Sequence, residues 1–527
     1  MGKQAFFGLR GSALNWLCVL AVTFPTFTCY GYNQSVAGGL LTTTKFLEQF
    51  PEIDAHNAEG SEATYKSNIQ GTVISLYTAG GIFGALATSA WGDRLGRRNF
   101  IFGSTTLVMI GAILMASAYQ LPQLIVARVI LGLGTGAMSG TVPVWASELA
   151  KITNRGSHSS AVGMYLSVGI TLGFWIDFAL SFAKDSSVSW RFPLAFQLIF
   201  CIVPMASIYF LPESPRWLIT RGREDEARYI LGAVNELDPY GEVLNTEIME
   251  MKESLEIAKS GTMRDLFSMG ETRVIHRAGL AFLAMFFSQI CAINAITFYA
   301  NTIFENYLNM THNVASILSG CMEIIQIIGA LGAMVTIDRF GRRPLMIFSA
   351  IGLCICMALV AGLTSNTDNT AALDVAVVAL YALNFIYSVG FAGCCFCYSA
   401  EISPLHVRSL VNGFAVGTTW AVNFLVAMVS PTAFNSISWR YYIVWACVNG
   451  FMILPLVYFF FPETRLRALE EIDEIFLQSQ SFFDTVRIAK RMPYRHNRDG
   501  TINNVGNEKG TATPPLHVEE RSDESTN

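Results

Sequence analysis

Two nearly identical charged stretches, Asp93-Arg94-Leu95-Gly96-Arg97-Arg98 and Asp338-Arg339-Phe340-Gly341-Arg342-Arg343, lie about 245 positions apart, each between two long apolar runs. A run of about 20 apolar residues can cross a bilayer as a helix, and arginines confined to the short loop between two such runs mark a cytoplasmic turn. The repeat therefore constrains the chain twice: it threads a membrane, and it is built from two similar halves. With 52% hydrophobic and only 14% charged residues, the composition lies outside the range of a soluble domain.

Apolar windows predict twelve helices, at 14–32, 70–91, 100–118, 123–146, 160–182, 193–211, 276–300, 314–337, 345–363, 373–400, 410–429 and 441–461. An even number puts both termini on one side, and the arginine-rich loops make that side cytoplasmic. The expected fold class is an all-α membrane protein with twelve transmembrane helices in two six-helix halves. Residues 1–13 form a cytoplasmic N-terminus, 14–211 the first half, 212–273 a cytoplasmic helical linker and 274–461 the second half. Residues 462–527 form a cytoplasmic tail whose polar composition predicts disorder after about 497. The acidic loop at about 42–66 is too long for a simple turn and is expected to be irregular. Asn309-Met310-Thr311, on the outer side, fits a glycosylation acceptor.

Several functions are excluded. The net charge of −5 carries no basic stripe with interleaved aromatics, so nucleic acid is not a partner. The eleven cysteines all fall in apolar runs, as packed thiols do, and His and further Cys at ligand spacing are lacking, so neither metal nor cofactor is expected. With no nucleophile-base pair or phosphate loop at usable spacing, an enzyme is not expected either.

The halves match elsewhere. Glu148 and Arg155 recur as Glu401 and Arg408, and Pro212-Glu213-Ser214-Pro215-Arg216 recurs as Pro462-Glu463-Thr464-Arg465. Parallel six-helix repeats around a central site form a transporter architecture, in which one half rocks against the other. The charged motifs sit at the cytoplasmic helix ends, where Glu148, Glu213, Glu401 and Glu463 can meet Arg94, Arg97, Arg98, Arg155, Arg216, Arg339, Arg342, Arg343 and Arg408. Together with Asp93 and Asp338 they are the expected inner gate, a network that forms in one orientation of the halves and opens in the other.

Solute chemistry must come from polar residues inside apolar helices, since an unpaired buried polar group costs on the order of 1–3 kcal/mol. Gln289 and Asn294 on the seventh helix stand about 140° apart on an ideal helix, so a break in that helix is needed for both to face one cavity. Amides suit sugars because each offers a donor and an acceptor to a hydroxyl.

Gly92-Asp93-Arg94-x-Gly-Arg97-Arg98, its repeat Asp338-Arg339-x-Gly-Arg342-Arg343 and the two Pro-Glu-Ser/Thr motifs, together with Arg128-x-x-x-Gly132-x-Gly134-x-Gly136 and Trp190-Arg191-Phe192-Pro193-Leu194-Ala195-Phe196-Gln197, resemble the sugar porter family of the major facilitator superfamily, particularly its fungal branch. The resemblance covers about 14–476. It implies that Gln289 and Asn294 bind hydroxyls, that Gln326, Trp420 and Asn423 face the same cavity with the Trp420 indole as a stacking platform, and that Tyr299 belongs to an outer gate. It makes Asn33 and Arg128 the coupling position. Proton-coupled members have aspartate where Asn33 stands, and an amide does not titrate usefully. Asn33 therefore points to facilitated diffusion, with Asp177 and Glu323, both expected near helix ends, as the alternative carboxylates. Ser288, Gly163 and Phe396 replace two glutamines and a tryptophan usual in the family, thinning the amide set. The implied function is transport of a monosaccharide such as a hexose by alternating access. A polyol or secondary metabolite as cargo, and a sugar sensor that does not transport, are the alternatives. The implied partners are a small solute, the lipid bilayer and, in the coupled case, a proton. The implied setting is the plasma membrane, with the protein a monomer.

Overall fold

The computed structural model describes residues 5–493, apart from 56–59, 150–154, 184–185, 260–264, 266–267, 269–272, 309, 367–368, 466, 468 and 480. Asn309 and the tail from 494 thus lie outside the described residues, and of Asp93 and Arg155 only the backbone is described. Among the described residues, twelve helices are long and apolar enough to cross a membrane. Numbered in chain order as spans 1–12, they are Gly11–Leu40, Gly60–Thr88, Arg97–Ala116, Leu121–Leu149, Ala161–Ser181, Val188–Phe210, Val274–Tyr307, His312–Phe340, Arg342–Leu363, Thr370–Ile402, Leu410–Ile437 and Arg440–Phe460.

The ends differ from those predicted where polar residues continue a helix. Span 1 runs through Tyr32 and Asn33 to Leu40, and span 2 begins at Gly60 rather than near 70. The loop between them is partly helical: Thr44–Gln49 and a short turn at Pro51–Ile53 bury Phe46 and Phe50, whose rings pack on Trp190. Its few apolar residues suffice to fold it down onto the bundle.

The repeat governs the packing. Span 2 packs on span 11 and span 8 on span 5, contacts that interchange when the halves are exchanged, and span 1 packs on span 7. Glycines set how closely the backbones approach. In span 4 the run Arg128-x-x-x-Gly132-x-Gly134-x-Gly136 presents Gly132 and Gly136 to span 2 and Gly134 to span 3. A Cβ at Gly132 would strike the Tyr77 carbonyl, one at Gly136 the Gly81 carbonyl, and one at Gly134 would meet Ser104 and Val108. In lipid, where no hydrophobic force drives helices together, such close backbone packing holds the bundle.

At the end bearing the arginine turns, the linker forms helices Pro215–Thr220, Glu224–Asn235 and Glu242–Lys259. Lys252 and Arg228 converge on Glu224 at 2.6 and 2.7 Å and hold its carboxyl below its ordinary value. The linker touches both halves, through Arg221 bonded to the Arg94 carbonyl at 2.9 Å and through packing of Glu242–Lys259 against Leu405–Val407. After span 12, helices Leu469–Gln478 and Asp484–Arg491 fold back on the second half, where Asp473 pairs with the buried Arg277 at 2.5 Å.

Gly132→Val should destabilise the bundle by about 1–3 kcal/mol through overpacking against the Tyr77 carbonyl. A thermal melt of the detergent-purified variant, read by size-exclusion fluorescence, checks this; an unchanged midpoint would mean that spans 2 and 4 are not in backbone contact.

Candidate functional site

The seventh span is broken at its middle. Cys291 and Ala292 leave the helix, and Ala292 adopts a left-handed conformation with φ of 91°, so that Val274–Ile290 and Ile293–Thr302 are separate helices. The turn brings together the two amides that an unbroken helix would hold apart: Asn294 Nδ2 donates to Gln289 Oε1 at 2.8 Å and to the Gln289 carbonyl at 3.2 Å. A break inside a membrane needs its freed carbonyls bonded. The Cys291 Sγ donates to the Ser288 carbonyl at 3.4 Å, and Asn449 of span 12 donates to the Cys291 carbonyl at 3.2 Å. Asn449, a polar residue inside an apolar run, escaped the sequence reading although its type and setting were a usable signal. Ser288, in a position where glutamine is usual, accepts from Gln289 Nε2 at 3.2 Å.

Buried polar atoms without partners occur in several parts of the bundle. On spans 1, 7, 8, 10 and 11 they include Asn33 Oδ1, Gln326 Oε1, both amide atoms of Asn423, Asn301 Oδ1, Asn384 Oδ1, Ser388 Oγ and both oxygens of Glu323. Buried polar groups are nearly always bonded, so these amides and hydroxyls have hydrogen-bonding capacity to spare. The Asn33 side chain makes a long contact from Nδ2 to Cys29 Sγ at 3.5 Å. Glu323 lies in the middle of span 8 rather than near an end, whereas Asp177 is four residues from the end of the helix Arg155–Ser181.

Two expected site residues are placed differently. Trp420 does not offer a free face: Tyr30 stacks on it at 5.0 Å, Tyr77 meets it edge-on at 5.7 Å, and its Nε1 donates to Ser139 Oγ at 3.2 Å. In this arrangement it joins the halves, because Tyr30, Tyr77 and Ser139 all belong to the first half. Arg128 is 2% exposed and donates to the Val73 and Ile74 carbonyls at 3.2 Å each, with its guanidinium over the Tyr77 ring at 5.4 Å and Nη1 without a partner. Gly163 faces open space, and Phe396 is half exposed.

The two ends of the bundle differ. At the end away from the arginine turns the halves meet: Thr432 Oγ1 bonds Asn68 Oδ1 at 2.7 Å, Asn435 bonds Ser67 at 3.5 Å, and a Cβ at Gly38 would strike the Phe298 carbonyl. Tyr299, the next residue, is buried with its hydroxyl on the Ala427 carbonyl at 2.7 Å. On the arginine-turn side of the centre a small pocket lies between the halves, with Gly163 on one side and Ala330, Met334, Ile337, Ser388 and Gly393 on the other.

A model of the sugar (and other) transporter family matches residues 17–476. The chain belongs to that family. It is 31% identical over 502 residues to the sugar transporter STL1 of Saccharomyces cerevisiae, an alignment covering 94% of this chain and 87% of the relative. It is 32% identical to the MFS-type transporter oryC of Aspergillus oryzae, covering 94% and 92%. Among solved structures, the partially occluded inward open form of the xylose transporter XylE from E. coli matches with a TM-score of 0.71 at 22% identity, over 86% of this chain and 99% of that one, and so shares the fold. This chain is accordingly a multi-pass membrane transporter of the major facilitator fold and not an enzyme.

In this transporter the arginine turns are built the same way twice. Gly96 and Gly341, with φ of 85° and 100°, turn the chain into spans 3 and 9. The exposed N–H groups at each new helix start are then capped by a glutamate from beyond span 6 or span 12. Glu213 accepts from the Arg97, Arg98 and Ser214 N–H groups at 2.9–3.3 Å. Glu463 accepts from the Arg342, Arg343, Thr464 and Arg465 N–H groups at 3.0–3.1 Å. A carboxylate at a helix N-terminus satisfies both the unpaired donors and the dipole. Arg342 further pairs with Asp338 at 3.0 Å and Glu401 at 2.8 Å, and Arg97 with Glu148 at 3.6 Å. Arg98 and Arg343 reach the Tyr209 and Tyr458 carbonyls, and Arg408 donates to the Ser403 carbonyl at 3.4 Å. Arg94, Arg339 and Asp338 are exposed at their turns, and Arg216 is half-buried in the first turn of Pro215–Thr220. Each of these ion pairs lies within one half.

Burial pushes the Glu213 carboxyl up from its ordinary value, although the Ser214 and Arg98 N–H groups and the Arg98 and Arg97 charges pull it down. A folded-state value above the unfolded one makes protonation favour the fold: that contribution is full below the unfolded value and is lost as pH rises through the folded one. Glu213→Gln, which keeps an acceptor without the charge, should therefore leave the melting midpoint near wild type at neutral pH. Glu213→Ala, which leaves the capped N–H groups unpaired, should cost about 1–3 kcal/mol; equal losses in the two variants would show that charge rather than capping matters. The opposite end yields a second expectation. Asn68→Cys combined with Thr432→Cys should cross-link under mild oxidant, detected by peptide mass spectrometry, whereas absence of the link would mean that this end is not closed.

Proposed function

We propose that the chain is an alternating-access carrier for a small polyhydroxylated solute of monosaccharide size, with a hexose or a linear polyol as the cargo classes. The observation that carries this reading is the group of unpartnered amide and hydroxyl atoms around the broken seventh span. Gln289 and Asn294 present an amide pair from that break, and Asn33, Gln326 and Asn423 add amide atoms with unused hydrogen-bonding capacity. A ligand rich in hydroxyls supplies donors and acceptors together and fits such a set. Relatives named as transporters of sugar and glucose support the same class, the latter including the high-affinity glucose transporter of Kluyveromyces lactis at 27% identity over 97% of this chain and 96% of that one.

The arrangement corresponds to the state closed at the end away from the arginine turns. By the positive-inside rule that closed end is the outer one, and both termini are cytoplasmic. The Asn68–Thr432 contact and the close approach of Gly38 to Phe298 then make the outer closure, with Tyr299 bracing span 7 against span 11. The charged motifs of the two halves work as separate latches here and are drawn together when the inner end closes. Trp420, sandwiched between Tyr30 and Tyr77, leaves the first half when the outer end opens, and its ring is then free to stack on the apolar face of a sugar. Both halves of one chain complete the site, so a monomer suffices, and uptake of an external solute would set it in the plasma membrane. Asn33 keeps span 1 from exchanging a proton.

Uptake of a panel of labelled hexoses, pentoses and linear polyols by transport-deficient cells tests the reading; no uptake of any of them would sink it. Asn294→Ala should lower uptake of the accepted solute at least tenfold while leaving the amount of protein in the membrane unchanged. Normal transport by that variant would remove the seventh-span break from the site.

A further inference from the structure

Glu323 lies in the middle of span 8 with its side chain fully buried, and neither of its oxygens makes a well-formed hydrogen bond. Gln326, one turn along the same helix face, has an unpartnered Oε1. The Thr297 hydroxyl of span 7, one turn beyond Asn294, lies within hydrogen-bonding reach of the Glu323 carboxyl. The carboxyl thus borders the amide set around the seventh-span break.

Among the described side chains, the groups on the elements packed against span 8 give Glu323 no counter-charge. Span 5 sets Trp175 against Gly320, one turn from Glu323, and its Asp177 packs instead on Gly39 of span 1. In span 7 and the turn after it, Glu305 is occupied with His312 at 3.2 Å. Arg342 at the start of span 9 is occupied with Asp338 and Glu401, and Arg343 with Glu463 and the Tyr458 carbonyl. The buried Arg128 of span 4 is bonded to two carbonyls and lies over Tyr77. An ionised carboxylate among neutral groups in an apolar medium is costly, whereas a protonated one is tolerated and supplies a donor that Gln326 Oε1 can use.

We propose that Glu323 is the proton-carrying group of this transporter, so that transport is coupled to a proton even though span 1 carries Asn33. The inference rests on the transport reading above. In the state open to one side the carboxylate takes a proton from water. The neutral carboxyl crosses with the rearrangement, and the proton is released to water on the other side. Among the carboxyls of the spans, Glu323 adjoins the solute amides, so occupancy by solute and by proton can bias the same rearrangement.

A test independent of any solute comes first. In reconstituted full-length protein, the infrared carbonyl stretch of a protonated carboxyl should be present at neutral pH, fade as the pH is raised, and be diminished in Glu323→Gln. Glu323→Asp should retain it. Identical spectra of wild type and Glu323→Gln would overturn the assignment. In proteoliposomes, an imposed inward proton gradient should drive several-fold accumulation of a solute accepted in the uptake panel. Glu323→Gln should lose that accumulation, yet retain solute exchange at equal pH with a KM near wild type. Gradient-driven accumulation by Glu323→Gln equal to that of wild type would overturn the proposal, as would loss of exchange in step with accumulation, which marks a solute contact. A proton-dependent band with no solute taken up at all would support the proton site and overturn the solute reading alone.

Discussion

A polar group inside a bilayer has no water to bond, and leaving it unpaired costs on the order of 1–3 kcal/mol. Most of this structure can be read as the consequence. The backbone is satisfied within twelve helices, and the glycines of span 4 let neighbouring backbones come into direct contact where side chains would hold them apart. Where span 7 breaks, side chains from the break itself and from span 12 take up the freed carbonyls. Atoms left unpaired occur in several parts of the bundle, and those on Asn33, Gln326 and Asn423 are amides of the kind that a solute can complete.

The same requirement shapes the charged end. Each arginine turn exposes the N–H groups of a new helix, and one glutamate from beyond the sixth span of each half caps them. The arginine side chains are thereby freed to reach carbonyls and the neighbouring carboxylates Glu148 and Glu401. These latches stiffen each half as a unit, which is what a rigid-body rearrangement requires. The contact between halves lies at the other end and at the centre, where Trp420 is held among Tyr30, Tyr77 and Ser139.

Asn33 and Glu323 divide the question of coupling between them. The amide in span 1 does not titrate usefully, and in the proposed mechanism the coupling carboxyl is instead Glu323 of span 8, beside the amides proposed to hold the solute. The substitution at one helix is thus informative only with the opposite half in view.

Much of the architecture was legible in the chain itself. Apolar runs of bilayer length, the repeated arginine turns and the offset shared by Glu148 with Glu401 and Glu213 with Glu463 determined twelve spans in two halves, because hydropathy and repetition are local or periodic signals. The spacing of Gln289 and Asn294 made a break in span 7 the condition for both to face one cavity. Only the tertiary structure decided which groups remain unpaired. Asn449 reaching the Cys291 carbonyl, Trp420 covered by Tyr30, and Glu323 left without an ion pair among the described residues all depend on residues from other helices. A buried polar side chain announces itself in the sequence by its type, but its partner, or its lack of one, is set by helix packing across more than a hundred positions.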